Sequence, residues 1–146
     1  MNAAIQDFVN GKRIAVAGAS RKGTKFGNAA SKELLARGYQ VYLLHPQAEE
    51  IDGQKCYPNL AALPSQVDGV LVSVPPSQAE GVLREAAGSG VRNVWLQAGA
   101  ETPDLLVLGK DLGLNLVSGK CILMYAQPVQ SYHRWHRWFC QFTGQL

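Results

Sequence analysis

Short apolar runs alternate with helix-length segments along this chain. Each run is continuous rather than alternating with polar residues, and each is rich in Val, Leu or Ile, which is typical of strands covered on both faces of a parallel sheet. We therefore predict five buried strands, at residues 13–18, 40–46, 69–76, 93–99 and 114–119.

The first connecting segment has the pattern of an amphipathic helix. Phe26, Ala30 and Leu34 recur every four residues on one helical face, and Gly38 stands where a left-handed C-cap would end the helix. Strand, loop, helix and strand thus follow one another, as in a crossover between parallel strands.

Two further segments predict crossover helices. Pro76 suits the first turn of a helix after the third run, and Thr102, Pro103 and Gly113 supply an N-cap, an N1 residue and a terminator after the fourth. The first of these helices directs four residues inward: Ala79, Val82, Leu83 and Ala86.

Residues 47–67 are less regular, because glycine and proline interrupt them. They predict a loop, a short strand near Cys56 and Tyr57, and a brief helix around Leu60. The whole pattern predicts an α/β fold: a Rossmann-like doubly wound parallel sheet of about five strands, in a single three-layer domain over residues 1–146. Such sheets bind ligands beyond the carboxyl ends of their strands.

Composition narrows the class of ligand only slightly. The formal net charge of +3 is mild and spread along the chain, which favours an anionic ligand without indicating a nucleic-acid-binding protein. The N-terminus lacks a signal-peptide layout and no run approaches the roughly 18 apolar residues of a membrane span, so we expect a cytoplasmic protein. Three cysteines without CxxC spacing support neither a disulfide framework nor a Cys-rich zinc site.

The loop after the first strand resembles a phosphate-binding turn. Gly18 and Gly23 fit the first and third positions of G-x-G-x-x-G, and Ser20 takes the middle position, where its hydroxyl could donate to a phosphate. The alternative is that the two glycines only form a tight turn. A GK[ST] triplet is missing, so the loop gives no support to ATP hydrolysis.

The end of the second strand argues against NAD. NAD-binding proteins place Asp or Glu there to hold the ribose, whereas this chain has His45 and Pro46, with Glu49 and Glu50 only beyond the proline. An NAD(P)-binding redox protein remains an alternative.

Several separated segments together resemble one family, the CoA-binding domain proteins, which are small stand-alone relatives of the CoA-binding Rossmann domain of the succinyl-CoA synthetase α subunit. The matching segments are VAGAS at 16–20, GYQVYLLHP at 38–46, IDGQKCYPNLAALPSQVDGV at 51–70, SVPP at 73–76 and VWLQAGA at 94–100.

The resemblance implies that coenzyme A, or a short acyl-CoA, lies across the carboxyl edge of the sheet. Its pyrophosphate would lie over the first loop, its adenine beside Val74 and Pro75, and its pantetheine near Gln97 and Gly99. Twelve residues form this candidate site: Gly18, Ala19, Ser20, Arg21, Lys25, Phe26, His45, Pro46, Val74, Pro75, Gln97 and Gly99.

The chain departs from the family in two respects. The family often has Asn-Pro followed closely by Lys, a contact for the 3′-phosphate, where this chain has His45, Pro46 and Gln47. The synthetase α subunit also continues into a domain with a phosphorylated histidine and works with an ATP-binding partner. We therefore expect a binding or regulatory role rather than ligase activity.

Cys121 is the basis of a further alternative, an enzyme acting on CoA thiols. It follows the fifth predicted strand beside Lys120, which could lower the pKa of its thiol, although a small buried residue at a strand end is the commoner case. A Ser-His-Asp triad is not evident in the sequence.

Residues 129–143 predict a C-terminal amphipathic helix. Tyr132, Trp135 and Phe139 share one face with further aromatic residues, which favours docking on the domain or on a second copy of it over membrane-surface or nucleic-acid binding. His133, His136 and Cys140 share one flank, but a fourth ligand is not evident and we predict no metal site.

Overall fold

The computed structural model describes residues 3–23 and 25–126. The described chain forms seven strands, which are β1 (Arg13–Ala17), β2 (Gln40–Leu44), β3 (Glu50–Ile51), β4 (Gln54–Tyr57), β5 (Gly69–Val72), β6 (Asn93–Gln97) and β7 (Asn115–Lys120). It also forms helices α1 (Ala3–Val9), α2 (Phe26–Ala36), α3 (Pro76–Gly88) and α4 (Pro103–Asp111), and 3₁₀ turns at Leu60–Ala62 and Ile122–Met124.

The strands form one sheet in the order β3-β4-β2-β1-β5-β6-β7. All neighbours are parallel except β3 and β4, so the fold is the predicted Rossmann-like α/β sheet. The five predicted strands are confirmed as β1, β2, β5, β6 and β7, and the short strand near Cys56 as β4. Strand β3 adds a hairpin that the sequence analysis did not predict.

The register of β1 with its two neighbours brings three strand ends together. Ala17, the last residue of β1, pairs with Leu44 of β2 on one side and with Val72 of β5 on the other. The next residues of all three strands therefore leave the sheet at the same carboxyl edge. This is also where the chain order reverses direction along the sheet, the usual ligand position in doubly wound folds.

Helices cover both faces of the sheet. One buried cluster contains Ile14 and Val16 of β1 together with residues of α1 and α2, and the other contains Ala15 and Ala17 together with residues of α3 and α4. Strand β1 is thus buried on both faces, which explains its continuous apolar sequence.

Several helix ends follow the predicted chemistry. Gly38 has φ +94° directly after α2, Gly113 has φ +74° after α4, and the Thr102 hydroxyl accepts a hydrogen bond from the Leu105 N–H at 3.2 Å. Pro76 and Pro103 open their helices as expected. Backbone preference therefore agrees with the tertiary fold at these positions.

Helix α1 was not predicted. Its Ile5, Phe8 and Val9 are buried, and the Phe8 ring meets the Trp95 indole edge-on at 5.3 Å between centroids. A Cβ at Gly69 would lie 2.7 Å from the Phe8 ring, so glycine at the start of β5 lets this ring approach the sheet.

The predicted helix at residues 129–143, with its proposed docking face and its histidine and cysteine flank, lies outside the described residues. Within residues 3–23 and 25–126, no helix is long and apolar enough to cross a membrane.

Candidate functional site

The loop between β1 and α2 leaves the sheet against the end of β5. Gly18 has φ +130°, and a Cβ at this position would overlap the carbonyl oxygen of Ser73. Both the backbone conformation and the close contact exclude a side chain. The first glycine of the motif therefore brings the backbone close to the neighbouring strand.

The second close approach in this loop involves Gly27 rather than Gly23. A Cβ at Gly27 would lie 2.6 Å from the carbonyl carbon of Gly18 and 2.7 Å from its oxygen, so the first turn of α2 packs directly on the loop. Gly23 has φ +72° and donates its N–H to the Ser20 carbonyl at 3.1 Å, which forms a turn. In the G-x-G-x-x-G motif the third glycine lets the helix pack closely, and in this structure Gly27 rather than Gly23 makes that close contact.

Asn28 holds the loop in place. Its Oδ1 accepts hydrogen bonds from the backbone N–H of Ser20 at 2.9 Å and of Lys25 at 3.3 Å. Its Nδ2 donates to the Ser20 carbonyl and to Asp52 Oδ2, each at 3.0 Å. With only 2% of its surface exposed, Asn28 fixes both ends of the loop from beneath.

A cavity of about 500 Å³ opens at the carboxyl ends of β1, β2 and β5. This volume lies within the range of small-molecule sites. Eight of the twelve candidate residues line it, namely Gly18, Ala19, Ser20, Lys25, His45, Pro46, Val74 and Pro75. Six further residues line it that were not predicted from the sequence, namely Ala17, Leu44, Pro58, Gln78, Val82 and Glu85.

Hydrogen-bond donors concentrate at the β1 side of the cavity. The Ser20 hydroxyl is buried and has no hydrogen-bond partner among the described residues, and Lys25 adds an exposed ammonium group. A buried hydroxyl without a partner is costly, and an anion oxygen could satisfy it.

His45 follows β2 and has a fixed ring orientation. Its Nδ1 accepts hydrogen bonds from the backbone N–H of Gln47 at 3.1 Å and of Ala48 at 2.9 Å. Burial, with a smaller contribution from the Arg21 guanidinium, lowers the pKa of His45. The ring is therefore neutral at pH 7 with its proton on Nε2, which makes Nε2–H a hydrogen-bond donor.

Arg21 lies beside the cavity rather than in its lining. Its Nη2 donates to Gln47 Oε1 at 3.0 Å, and its charge acts on His45. A cation is thus held next to the position where the family often has lysine.

The other three candidate residues lie away from the cavity lining. Phe26 is half-buried and packs on the core, while Gln97 is buried and accepts the Ile122 N–H through Oε1 at 3.1 Å. Gly99 is exposed at φ +96° and donates its N–H to Glu101 Oε2 at 3.0 Å. The structure therefore does not bring these residues together with the other candidates.

Helix α3 contributes three residues to the lining of the cavity. Gln78, Val82 and Glu85 stand at i, i+4 and i+7, so they share one helical face. Glu85 Oε2 accepts the backbone N–H of Leu60 at 3.0 Å. Val82, predicted to point into the core, is half-buried: it packs against the core and also lines this cavity.

The two described cysteines lie outside the lining of this cavity. Cys121 is half-buried after β7, while Cys56 is buried in β4, where burial and the nearby Glu50 raise the pKa of its thiol. Among residues 3–23 and 25–126, no three His, Cys, Asp or Glu side chains are grouped to hold a metal ion.

Comparisons with known proteins identify the family of this chain. A family profile described as a CoA binding domain matches residues 12–127. The α subunit of an ADP-forming acetate–CoA ligase from Pyrococcus furiosus is 27% identical over 126 residues, covering 79% of this chain and 28% of the ligase subunit. The chain thus spans less than a third of that relative.

Solved structures of similar size also match. A hypothetical protein from Pyrococcus horikoshii superposes with a TM-score of 0.77 at 30% identity, covering 83% of this chain and 86% of that protein. A conserved hypothetical protein from Pyrococcus furiosus gives 0.71 at 36% identity, covering 76% of this chain and 96% of that protein. An acetyl-coenzyme A synthetase from Candidatus Korarchaeum cryptofilum gives 0.66 at 27% identity, covering 77% of this chain but 27% of the synthetase.

Proposed function

The chain belongs to the CoA binding domain family, and from this premise we propose that it binds coenzyme A or a short acyl-CoA in the cavity beyond β1, β2 and β5. The observation that carries the proposal is the convergence of eight candidate residues on one cavity. They come from three separate strand ends and an adjoining loop, and the parallel register brings them together.

The donors at the β1 side support a pyrophosphate position there. Lys25, the Ser20 hydroxyl and the Nε2–H of His45 are suited to an anion, and charge-assisted hydrogen bonds to phosphate are stronger than neutral ones. Asn28 already occupies the N–H of Ser20. In our proposal, Ser20 therefore contacts phosphate through its side chain.

Arg21 supports recognition of the 3′-phosphate despite the glutamine at position 47. Its guanidinium is hydrogen-bonded to Gln47 Oε1 and lies close enough to His45 to affect the pKa of that ring. We infer that Arg21 supplies the cation that the family often takes from lysine.

The structure of the β2 end favours CoA over NAD. His45 follows Leu44 at the end of β2, while Glu50 belongs to β3, further along the loop and hairpin. A carboxylate is therefore not presented to a ribose at the end of β2, where NAD-binding proteins have one.

The same histidine supports a binding role without catalysis. Because Nδ1 accepts two backbone N–H groups, the proton stays on Nε2 and the ring cannot take a proton from Ser20 through that atom. The Ser20 hydroxyl, in turn, makes no hydrogen bond to a base among the described residues. We propose that the protein holds or presents CoA rather than transforming it.

Isothermal titration calorimetry tests the ligand. We expect CoA and acetyl-CoA to bind, dephospho-CoA to bind more weakly because it lacks the 3′-phosphate, and NADH and NADPH to give no heat of binding. Binding of NADH without binding of CoA would overturn the proposal.

Substitutions in the loop test the site. Ser20→Ala and Lys25→Ala should each weaken CoA binding by at least about tenfold, because a hydrogen bond to a charged group is worth about 1.5–3 kcal/mol. Lys22→Ala is the matched control, since Lys22 lies in the same loop and is exposed but does not line the cavity. Unchanged affinity in both test variants, or an equal loss in the control, would remove this loop from the site.

A further inference from the structure

The cavity lining carries two chemically different groups of polar side chains. Lys25, Ser20 and His45 offer hydrogen-bond donors beside β1 and β2, whereas α3 contributes the amide of Gln78 and the carboxylate of Glu85. A polyanion is attracted by the donors and repelled by the Glu85 carboxylate. The ligand must therefore turn its phosphates away from α3 and present a different group to Glu85.

The position of Glu85 is fixed by the protein itself. Its Oε2 accepts the backbone N–H of Leu60 at 3.0 Å, and Leu60 is buried at 6% exposure. Oε1 makes no hydrogen bond among the described residues. An ionised carboxylate is only an acceptor, so the group that meets Oε1 must be a donor.

Apolar side chains line the same cavity as this acceptor. Pro46, Pro58, Val74 and Val82 line the same cavity and provide surfaces without polar side-chain atoms. They suit a flat aromatic ring with apolar faces, while the carboxylate suits a donor at the edge of the ring. An exocyclic amino group on a purine has this combination.

We propose that Glu85 recognises the 6-amino group of the adenine of the ligand and thereby selects adenine over a 6-keto purine. The proposal rests on the CoA-binding function inferred above and adds a base-reading residue on α3 to it. A 6-keto oxygen in the same place would face the carboxylate as a second acceptor, which a site built to accept a donor disfavours.

The test compares CoA with its deaminated analogue, in which hypoxanthine replaces adenine and the phosphates and pantetheine are unchanged. We expect the full chain to bind CoA at least tenfold more tightly than the analogue. Glu85→Gln keeps an oxygen for the Leu60 N–H and adds a donor, so the ratio should fall to about threefold or less. Glu80→Gln is the control, because Glu80 lies on the same helix, pairs with Arg84 and does not line the cavity.

Each outcome is decisive. Equal affinities of the unaltered chain for CoA and the analogue overturn the proposal. A Glu85→Gln variant that keeps the full ratio of the two affinities also overturns it. If that variant binds both ligands more weakly by the same factor, Glu85 has a ribose contact or a structural role instead. If Glu85→Gln does not fold, Glu85→Asp should also lower the ratio by withdrawing the carboxylate. Failure of both ligands to bind would instead overturn the CoA-binding function itself.

Discussion

His45 fixes the loop after β2 and also lines the cavity. Its Nδ1 accepts the backbone N–H groups of Gln47 and Ala48, which fixes the loop after β2, and the other ring nitrogen keeps its proton. The sequence located this residue at the strand end but could not give the tautomer, because that depends on how the following three residues turn back. Asparagine, common in the family at this position, could accept the same two bonds through Oδ1.

The stability of the ligand-free protein should therefore depend on pH through His45. The pKa of His45 is lowered in the folded chain, so the stabilisation is complete above about pH 6.5, the value for a free histidine, and is lost as pH falls through the folded-state pKa. We expect the urea midpoint to fall less between pH 7.5 and pH 5.5 in His45→Asn than in the unaltered chain. An identical fall in both would show that His45 does not carry the effect.

Three cavity residues that were not predicted from the sequence lie on one helix, and one reason explains all three. Gln78, Val82 and Glu85 lie on a helix whose alternation of apolar and polar residues reports which face is buried, but not which half-buried positions border a cavity. Their surroundings depend on tertiary packing, such as the hydrogen bond from the Leu60 N–H to Glu85. Sequence spacing predicts the face of a helix, not this packing.

Among the elements, the β3–β4 hairpin could have been predicted from its turn residues, Asp52 and Gly53. Asp52 and Gly53 have φ values of +52° and +80°, and Ile51 pairs with Gln54 across them. An Asp-Gly pair between two strands is a strong sign of a two-residue hairpin. The strands are only two and four residues long, which is why periodicity alone did not reveal β3.

The contact between α2 and the β1 loop should be sensitive to a single methyl group. Gly27→Ala would place a Cβ within 2.7 Å of the Gly18 carbonyl, so the helix must move away from the loop. We expect about 1–3 kcal/mol lower stability, as for overpacking, together with weaker CoA binding. Chemical denaturation and calorimetry measure both effects.

Gly81→Ala provides the matched control for that substitution. A Cβ at this position in α3 has no heavy atom within 4 Å, so alanine should raise stability by about 0.5–1 kcal/mol through helix propensity alone. Equal effects of the two substitutions would contradict the account of Gly27.

For the whole molecule, the alternation of apolar runs and helices predicted the sheet and its class. This succeeded because parallel strands buried on both faces must be continuous in apolar residues and must meet at one edge. The same pattern could not predict the N-terminal helix α1, because only three large apolar residues, Ile5, Phe8 and Val9, occur in its seven positions. Their burial depends on the surface that Trp95 and Gly69 provide for Phe8.

A ligand placed across three strand ends should stabilise the molecule on both sides of β1. We expect CoA at a hundred times its dissociation constant to add about 2.7 kcal/mol to the free energy of unfolding. Amide hydrogen exchange should slow in the β1 loop, after β2 and at the start of α3 together. Protection confined to one of these segments would contradict a cavity shared by all three.

The two sides of the cavity differ in how freely they can be altered. The loop side is fixed by backbone contacts between Gly18, Gly27 and Ser73, where almost any change disturbs the packing of the fold. The α3 side consists of side chains on a helix whose fully buried positions are Ala79, Leu83 and Ala86, while Val82 is half-buried against the same core. A combinatorial library at positions 78, 82 and 85 would therefore vary the ligand that the cavity accepts without altering the glycine contacts of the loop.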